Sequence, residues 1–223
     1  MVQVIATDKE DQMITHGKDL KIDKNTAKEN VLAYSKEVER YASFGFDRMK
    51  SADFIVDACG EGIESVLEIG TGRGISLAAL SKKYGKVTAV DNSADQVDLA
   101  KDYLYMSEVL ENITFCNCNA EKLPFADKSY DLVVSANAFH HMEKPFVVIK
   151  EMMRVCKKRL VIADFSKNGF EIIRKIHEQK GWVHEEHSSD FDIVGIYLRE
   201  HGFSIDSREG FNQTVFIAER GGE

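Results

Sequence analysis

The spacing of hydrophobic positions changes character near residue 64 of the chain. Before it, apolar residues recur at helical spacing over 27–42 and 47–59, which predicts two helices. After it, short apolar runs alternate with helical stretches, a pattern typical of a parallel sheet covered by helices on both faces. The predicted strands are 65–69, 87–91, 113–117, 131–135, 159–163, 203–208 and 213–219, and the later helices are 74–84, 94–109, 145–155, 168–180 and 189–201.

The two ends of the chain depart from this alternation. Residues 209–212 alone join the last two predicted strands, and so short a connection requires an antiparallel pair. Residues 1–25 are mostly polar and are expected to form an irregular or loosely docked extension. With only two prolines and no repeat or linker, we expect one domain over 1–223. Within it, 1–62 would supply the extension and covering helices, and 63–223 the core.

Three glycines, Gly70, Gly72 and Gly74, follow the first predicted strand and precede a helix. Glycine tolerates the positive φ of a tight turn, and a helix N-terminus offers unpaired N–H groups to an anionic ligand. The stretch 66–75 therefore predicts a nucleotide-binding turn. The dinucleotide fingerprint G-x-G-x-x-G would need glycine where Ile75 stands, and no P-loop Gly-Lys-Ser or Gly-Lys-Thr follows. Asp91, after the second strand, suits ribose hydroxyls in a dehydrogenase or in an S-adenosylmethionine enzyme, so both remain open at this point.

Four segments, in this order and at this spacing, resemble the class I S-adenosylmethionine-dependent methyltransferases. They are 68–74, 90–91, 119–125 and 129–134, and the resemblance extends over about 64–164. More narrowly, the chain is similar to the small members called methyltransferase type 11 or UbiE-like. The resemblance implies a Rossmann-like, doubly wound α/β fold with seven strands in the order 3-2-1-4-5-7-6, strand 7 being antiparallel.

The resemblance also implies S-adenosylmethionine as cofactor and assigns its contacts. The implied cofactor-binding residues are Glu68, Gly70, Thr71, Gly72, Asp91, Asn92, Asn119, Ala120, Glu121, Ser135 and Asn137. Among them, Asp91 would accept from the ribose hydroxyls, unless it only caps the following helix. Asn119 stands where relatives commonly carry aspartate, which leaves open whether Asn119 or Glu121 contacts the adenine amino group. Glu68 either orients the turn or meets the methionine amino group.

Two adjacent histidines, His140 and His141, follow the fourth strand, where an acceptor should sit. Methyl transfer needs a base only when the acceptor is protonated, and histidine titrates in the useful range. Both are therefore candidates for a catalytic base, the alternative being a role in packing or in the pocket wall, and one of the two is expected to contact the acceptor. Tyr41 or Phe44, in the segment before the sheet, is a candidate to close over the cofactor.

A second histidine pair, His184 and His187, has the i, i+3 spacing of metal ligands on a helix. No third ligand stands at a fixed spacing, so no metal is predicted. An acceptor-facing lid and a solvated connection are the other interpretations of 181–187.

Composition limits the acceptor and the location. A formal net charge of −8 argues against nonspecific binding to nucleic acid or to an anionic membrane. Residues 135–138 lack the Asn/Asp-Pro-Pro-aromatic loop of enzymes that methylate the exocyclic amines of nucleic-acid bases. Four scattered cysteines, no long apolar run and no signal peptide predict a cytoplasmic protein. We therefore expect in-line methyl transfer to a small-molecule acceptor, the alternative being an S-adenosylmethionine-binding regulatory or partner subunit without transferase activity.

Overall fold

Eight strands of the chain form one sheet in the computed structural model, which describes residues 13–179, 181 and 188–221. The strand order is β1-β4-β3-β2-β5-β6-β8-β7. The strands are β1 (Met13–His16), β2 (Val66–Ile69), β3 (Val87–Asp91), β4 (Ile113–Asn117), β5 (Tyr130–Ala136), β6 (Cys156–Phe165), β7 (Phe203–Gly210) and β8 (Gln213–Arg220).

Seven α-helices connect or cover these strands. They are α1 (Lys24–Ser43), α2 (Arg48–Ala58), α3 (Ile75–Tyr84), α4 (Ala94–Met106), α5 (Pro145–Val155), α6 (Lys167–Gln179) and α7 (Val194–Glu200). The last is shorter than the predicted helix 189–201, because Ser188–Ile193 forms a 3-10 segment instead. None of the described helices has the length and apolar character needed to cross a lipid bilayer.

The seven predicted strands are present in the predicted order, β4-β3-β2-β5-β6-β8-β7, with β8 antiparallel to both of its neighbours. The strand count was wrong by one, because part of the N-terminal stretch expected to be irregular forms β1. This strand pairs antiparallel with β4, where Met13 lies opposite Asn117. Four residues are too few to show a period, and the partner strand lies about a hundred residues later, so this pairing leaves no local sign in the sequence.

The central strands are buried on both faces. Every residue of β2 and β5 is buried, as expected for parallel strands that helices cover on two sides. Side chains alternate between two hydrophobic clusters: Leu132 and Val134 pack on the side of α2, α3 and α4, whereas Val133 packs on the side of α5 and α7. Each short apolar run of the sequence therefore contributes side chains to both layers of the core, one on each face of the sheet.

A third, smaller cluster lies beside the carboxyl ends of the parallel strands. It joins Tyr41 and Phe46, from the α1–α2 region, to Phe165 at the end of β6 and to Ile173 and Ile176 of α6. The rings of Phe46 and Phe165 meet edge to face, with centroids 5.2 Å apart. The helices before the sheet and the helix after β6 thus enclose the edge of the sheet at which ligands bind in open α/β folds. The division into an extension and a core within one domain stays a prediction.

Candidate active site

A cavity of about 950 Å³ opens at the carboxyl ends of the parallel strands. The loops after β2, β3, β4 and β5 form one side of it, and residues of α1, α2 and α6 form the other. The cavity-lining residues that the sequence predicted are Gly70, Thr71, Gly72, Asp91, Asn92, Asn119, Ala120, Glu121, Asn137, His140 and His141. The topology thus brings segments from four parts of the sequence to one place.

The glycine turn after β2 has a backbone that other residues would not tolerate. Gly70 has φ 77°, and its N–H donates to the carbonyl of Val90 at 2.8 Å. A Cβ at this position would collide with the side chain of Ala138, which belongs to the loop after β5. Gly70 is therefore required both for its positive φ and for the close approach of the two loops.

Asp91, the last residue of β3, connects this strand to the glycine turn through hydrogen bonds. One carboxylate oxygen accepts from the N–H of Gly72 at 2.9 Å, and the other accepts from the N–H of Ser93, also at 2.9 Å. The cap of α4 is Ser93, whose hydroxyl accepts from Gln96, so Asp91 is not needed for that purpose. Each oxygen of Asp91 keeps a second lone pair on the cavity side, which suits it to accept from a diol.

An unpartnered polar atom among the described residues tests whether this wall fits a polar ligand. The amide oxygen of Asn137 is buried, lines the cavity and has no hydrogen-bond partner in the described part of the chain. Asn137 also has a φ of 53°, a left-handed conformation that few non-glycine residues adopt. The nearby Thr71 also lines the cavity, and its hydroxyl interacts with the buried carboxyl of Glu68. Buried polar groups are normally paired, so the oxygen of Asn137 fits a ligand with polar methionine and ribose parts.

Asp164 is the residue before the last of β6, and both of its carboxylate oxygens form hydrogen bonds with His140. The Nδ1 atom of His140 lies 2.7 Å from one oxygen, and the N–H of His140 donates to the other at 2.9 Å. Asp164 is fully buried, whereas the His140 side chain is 12% exposed and lines the cavity. A carboxylate only accepts, so Nδ1 carries a proton, and in the neutral imidazole Nε2 keeps the lone pair. This arrangement can remove a proton from a bound molecule.

Comparisons with known proteins agree with this geometry. Residues 67–163 match the family described as a methyltransferase domain. The ubiquinone/menaquinone biosynthesis C-methyltransferase UbiE of Shewanella pealeana is 30% identical over 141 residues, which cover 61% of this chain and 56% of that protein. UbiE of Shewanella sediminis is 29% identical over 194 residues, which cover 78% of this chain and 76% of that protein.

Among solved structures, a SAM-dependent methyltransferase from Aquifex aeolicus is similar with a TM-score of 0.60. It is 24% identical, and the match covers 89% of this chain and 99% of that one. These findings support a class I S-adenosylmethionine-dependent methyltransferase of the UbiE-like type. S-adenosylmethionine is therefore its methyl donor.

Two residues expected to bind the donor of this methyltransferase lie behind the cavity wall. Glu68 is fully buried, and one of its oxygens accepts from the Ser76 hydroxyl at 2.5 Å. Burial raises the pKa of Glu68 to about 8. The bond ties β2 to the first turn of α3, which favours the loop-orienting interpretation of Glu68. Ser135 is likewise buried and absent from the lining.

The side chains of the predicted adenine segment bond to their neighbours. The amide oxygen of Asn119 accepts from the N–H of Glu121 at 2.8 Å, which closes a local turn. The carboxylate of Glu121 accepts from the Lys144 ammonium at 3.1 Å. Both residues line the cavity, so the adenine contact stays open between them.

The two candidate bases differ in their surroundings. His141 is exposed at the rim, and its ring centroid lies 3.9 Å from that of His140. Its side chain is not bonded to Asp164, which is engaged by His140 and by the N–H of Phe165. His140 is thus the better placed of the pair for proton transfer.

Three residues in or beside the cavity wall were not predicted from the sequence: Asp164, Arg48 and His177. Asp164 is the residue before the last of β6, the fifth core strand, and Asp91 is the last residue of β3, the second; this shared position near a strand end was the available sign. Arg48 and His177 lie on α2 and α6 and have no motif that marks them. Of the candidate lid residues, Tyr41 lines the cavity and Phe44 does not. The candidates His184 and His187 lie outside the described residues.

Proposed function

We propose that this methyltransferase transfers the methyl group of S-adenosylmethionine to a small-molecule acceptor that must lose a proton, with His140 as the base. The hydrogen bond of 2.7 Å between His140 and the buried Asp164 carries this proposal. A merely structural histidine at a cavity wall would not require a buried carboxylate that fixes its tautomer. An acceptor without a removable proton, such as a neutral thioether, would leave the pair without a role.

The proposed chemistry divides between the donor and the side chains. When bound, the donor would supply a methyl group activated by its sulfonium, and its sulfur would keep the electron pair of the S–CH₃ bond. The backbone turn at Gly70 and the carboxylate of Asp91 hold the donor in one orientation. Nε2 of His140 takes the acceptor proton, while Asp164 stabilises the resulting imidazolium. The products are S-adenosylhomocysteine, the methylated acceptor and a proton on His140.

The remaining donor contacts are assigned on the same basis. Asp91 and Asn92 serve the ribose and the adjoining edge of adenine, and 119–121 flank the adenine ring. Thr71, which lines the cavity, and Asn137, with its unpartnered buried oxygen, serve the methionine part. Ser135 and Glu68 support these loops from behind.

The aromatic side chains opposite the glycine turn favour a planar acceptor. Phe46 and Phe165 line the cavity and pack edge to face, and the ring centroid of Phe165 lies 5.0 Å from that of His140. The relatives named as ubiquinone/menaquinone biosynthesis C-methyltransferases support a ring acceptor. Deprotonation of a ring hydroxyl raises the nucleophilicity of both the oxygen and the neighbouring ring carbons, so one base serves O- and C-methylation.

The test supplies the chain with S-adenosylmethionine carrying a radiolabelled methyl group and a panel of phenols, dihydroxyarenes, amines and thiols. We expect label transfer to a hydroxylated ring, and product analysis to show the methylated atom. Binding of S-adenosylhomocysteine without turnover on any class would contradict catalysis and favour a regulatory or partner subunit. We also propose a cytoplasmic location, which the four buried, unbridged cysteines support.

A further inference from the structure

Two cysteines, Cys116 and Cys118, form a thiol pair at the carboxyl end of β4. Cys116 is the residue before the last of this strand, and Cys118 follows the strand directly. Their Sγ atoms lie 3.3 Å apart, and both side chains are buried in the same hydrophobic cluster. Both thiols are free in the structure. The spacing of two residues thus places the two sulfurs on one face of the chain and in contact.

A disulfide between these cysteines requires only a small movement. A disulfide usually joins Cα atoms about 4.4–6.8 Å apart, and residues i and i+2 of an extended chain lie near the upper end of that range. Because an S–S bond is about 2.05 Å long, sulfurs that now lie 3.3 Å apart must approach by about 1.2 Å. A local displacement of the backbone at 116–118 suffices for this approach.

The other two cysteines have different surroundings. Burial raises the pKa of the Cys59 and Cys156 thiols to about 12, and neither residue lines the cavity. By contrast, the thiol of Cys118 stabilises a thiolate on Cys116 and lowers the pKa of Cys116. Cys118 also lines the cavity, through which a reagent can reach the pair. The thiolate is the reactive form in disulfide exchange, so this pair is the reactive one of the four cysteines.

The pair is attached to the loop that is proposed to flank the adenine ring. The N–H of Cys118 donates to the carbonyl of Asp91 at 3.3 Å, and Asn119 is the next residue. Cys116 is held inside the sheet, because β4 pairs with β1 on one side and with β3 on the other. Closing a disulfide must therefore displace mainly Cys118. This displacement would move 119–121 relative to Asp91 and change the adenine side of the cavity.

We propose that Cys116 and Cys118 form a reversible disulfide that lowers the affinity of the chain for S-adenosylmethionine. The effect on the donor rests on the proposed function, which places the adenine beside 119–121. The oxidant is a low-molecular-weight disulfide. One cysteine sulfur attacks it, which breaks its S–S bond, forms a mixed disulfide and releases one small thiol. The other cysteine sulfur then displaces the second small thiol.

This exchange is balanced in atoms and electrons. The S–S bond of the reagent breaks, and an S–S bond between Cys116 and Cys118 forms. The two protein thiols lose two electrons and two protons, and the small disulfide takes up both to become two thiols. An excess of a small thiol reverses the reaction.

The test equilibrates the full chain with glutathione and glutathione disulfide at a series of ratios, with and without saturating S-adenosylhomocysteine. Free thiols are then alkylated, and mass spectrometry follows the tryptic peptide 102–122, which contains both cysteines. We expect this peptide to lose two hydrogen atoms and to escape alkylation in the oxidised chain. Calorimetric titration should show an affinity of the oxidised chain for S-adenosylhomocysteine about 10-fold lower than that of the reduced chain. Saturating ligand should lower the equilibrium constant for disulfide formation by the same factor.

Three variants separate the disulfide from other effects of oxidation. Cys116→Ser removes one sulfur at a position outside the cavity lining, and we expect its affinity for S-adenosylhomocysteine to be the same at every glutathione ratio. Cys118→Ala removes the other sulfur, and its affinity should likewise not depend on the ratio. Cys156→Ser, a buried site with a thiol pKa of about 12, is the matched control and should respond to oxidation as the wild type does.

The contradicting outcomes are distinct from one another. Alkylation of both cysteines at every ratio, or a stable glutathione adduct without ring closure, would overturn the disulfide. A disulfide that leaves the affinity unchanged would overturn its control of donor binding. Loss of affinity on oxidation of Cys116→Ser would assign the effect to another residue. If the reduced chain does not bind S-adenosylhomocysteine, the proposed function fails and the control of donor binding fails with it, whereas the peptide masses still show whether the disulfide forms.

Discussion

The two walls of the cavity are built in different ways. The donor wall comes from consecutive loops after β2 and β3, and backbone groups of Gly70 and Gly72 form its main contacts. The acceptor wall comes from elements far apart in the chain, where His140 meets Asp164 and Tyr41 meets His177. Backbone groups persist through most substitutions, whereas side chains do not. We infer that the donor is fixed by the fold and that the acceptor can change by substitution in a few side chains.

Among the substitutions that would distinguish the roles of the two walls, we expect His140→Ala to have the largest effect. Turnover should fall about 10²- to 10⁴-fold, because the acceptor then keeps its proton. S-adenosylhomocysteine affinity should stay within about twofold, since the donor wall is intact. Rates with the acceptor found by label transfer, combined with calorimetric titration, measure both quantities. His201→Ala, an exposed histidine bonded to the Tyr197 carbonyl, is the control. Unchanged turnover in His140→Ala would remove the base from the mechanism.

Gly70→Ala should have the opposite effect to His140→Ala, because it changes the donor wall and so lowers the affinity for S-adenosylhomocysteine. The new Cβ would collide with Ala138 in a turn with φ 77°, so the turn must move. We expect S-adenosylhomocysteine affinity to fall about 100-fold, equivalent to about 2.7 kcal/mol. Gly85→Ala is the matched control, with the same φ of 77° and no atom within 4 Å of the added Cβ. With a ψ of −106°, Gly85 lies outside the regions that other residues adopt, so the substitution should lower stability by about 1–3 kcal/mol and leave the affinity unchanged.

Wild-type affinity in Gly70→Ala would show that the donor does not depend on this turn. Equal losses of affinity in Gly70→Ala and Gly85→Ala would assign the effect to backbone strain rather than to the contact with Ala138. Thermal unfolding of both variants without ligand separates the loss of stability from the loss of binding.

Glu68 supports the donor wall from behind, and its ionisation should weaken the fold. Burial raises its pKa to about 8, well above its value in an unfolded chain. The folded state therefore keeps a proton that the unfolded state releases, and this stability is lost as the pH rises through about 8. Between pH 6 and pH 9, we expect a loss on the order of 2 kcal/mol in the wild type that is absent in Glu68→Gln. Urea unfolding across this range measures it.

Glu200→Gln, at an exposed position on α7, is the control for Glu68→Gln and should follow the wild-type curve. Parallel curves for the wild type and Glu68→Gln would show that Glu68 does not control the pH dependence.

The smallest of these effects is expected from Asp91→Asn. The amide keeps one accepting oxygen but loses the charge and the second acceptor that holds Gly72 or Ser93. Donor affinity should fall about tenfold, with little change in the rate once the donor is bound. Asp95→Asn, at an exposed position on α4, should leave binding unchanged. A loss of turnover at saturating donor would instead connect Asp91 with the chemical step.

The difference between the donor wall, built from consecutive loops, and the acceptor wall, built from distant elements, also explains which features could be predicted from the sequence. Strands β2 to β8 and their order followed from apolar spacing and the family resemblance, because local periodicity determines those elements. The turn at Gly70 was visible because its backbone requires glycine. His140 was found by its position after a strand. Its partner Asp164 was missed, since only the sheet brings the ends of β5 and β6 together.

The rest of the site depends on contacts that no short stretch encodes. Arg48 faces the cavity because α2 packs beside α1 and Tyr34 receives its hydrogen bond. Strand β1 exists because β4 offers it an edge. Predicting either feature requires the tertiary arrangement, since an arginine at a helix start and a four-residue stretch of mixed polarity such as β1 are common in any sequence.

The most direct test of a cavity with a fixed donor wall and a separate base is a crystal structure of the chain with S-adenosylhomocysteine. We expect the ribose hydroxyls on Asp91, the homocysteine part along the turn at Gly70 and the sulfur directed toward His140, with space between the sulfur and His140 for an acceptor. A ligand whose sulfur points away from His140, or one bound outside this cavity, would contradict it.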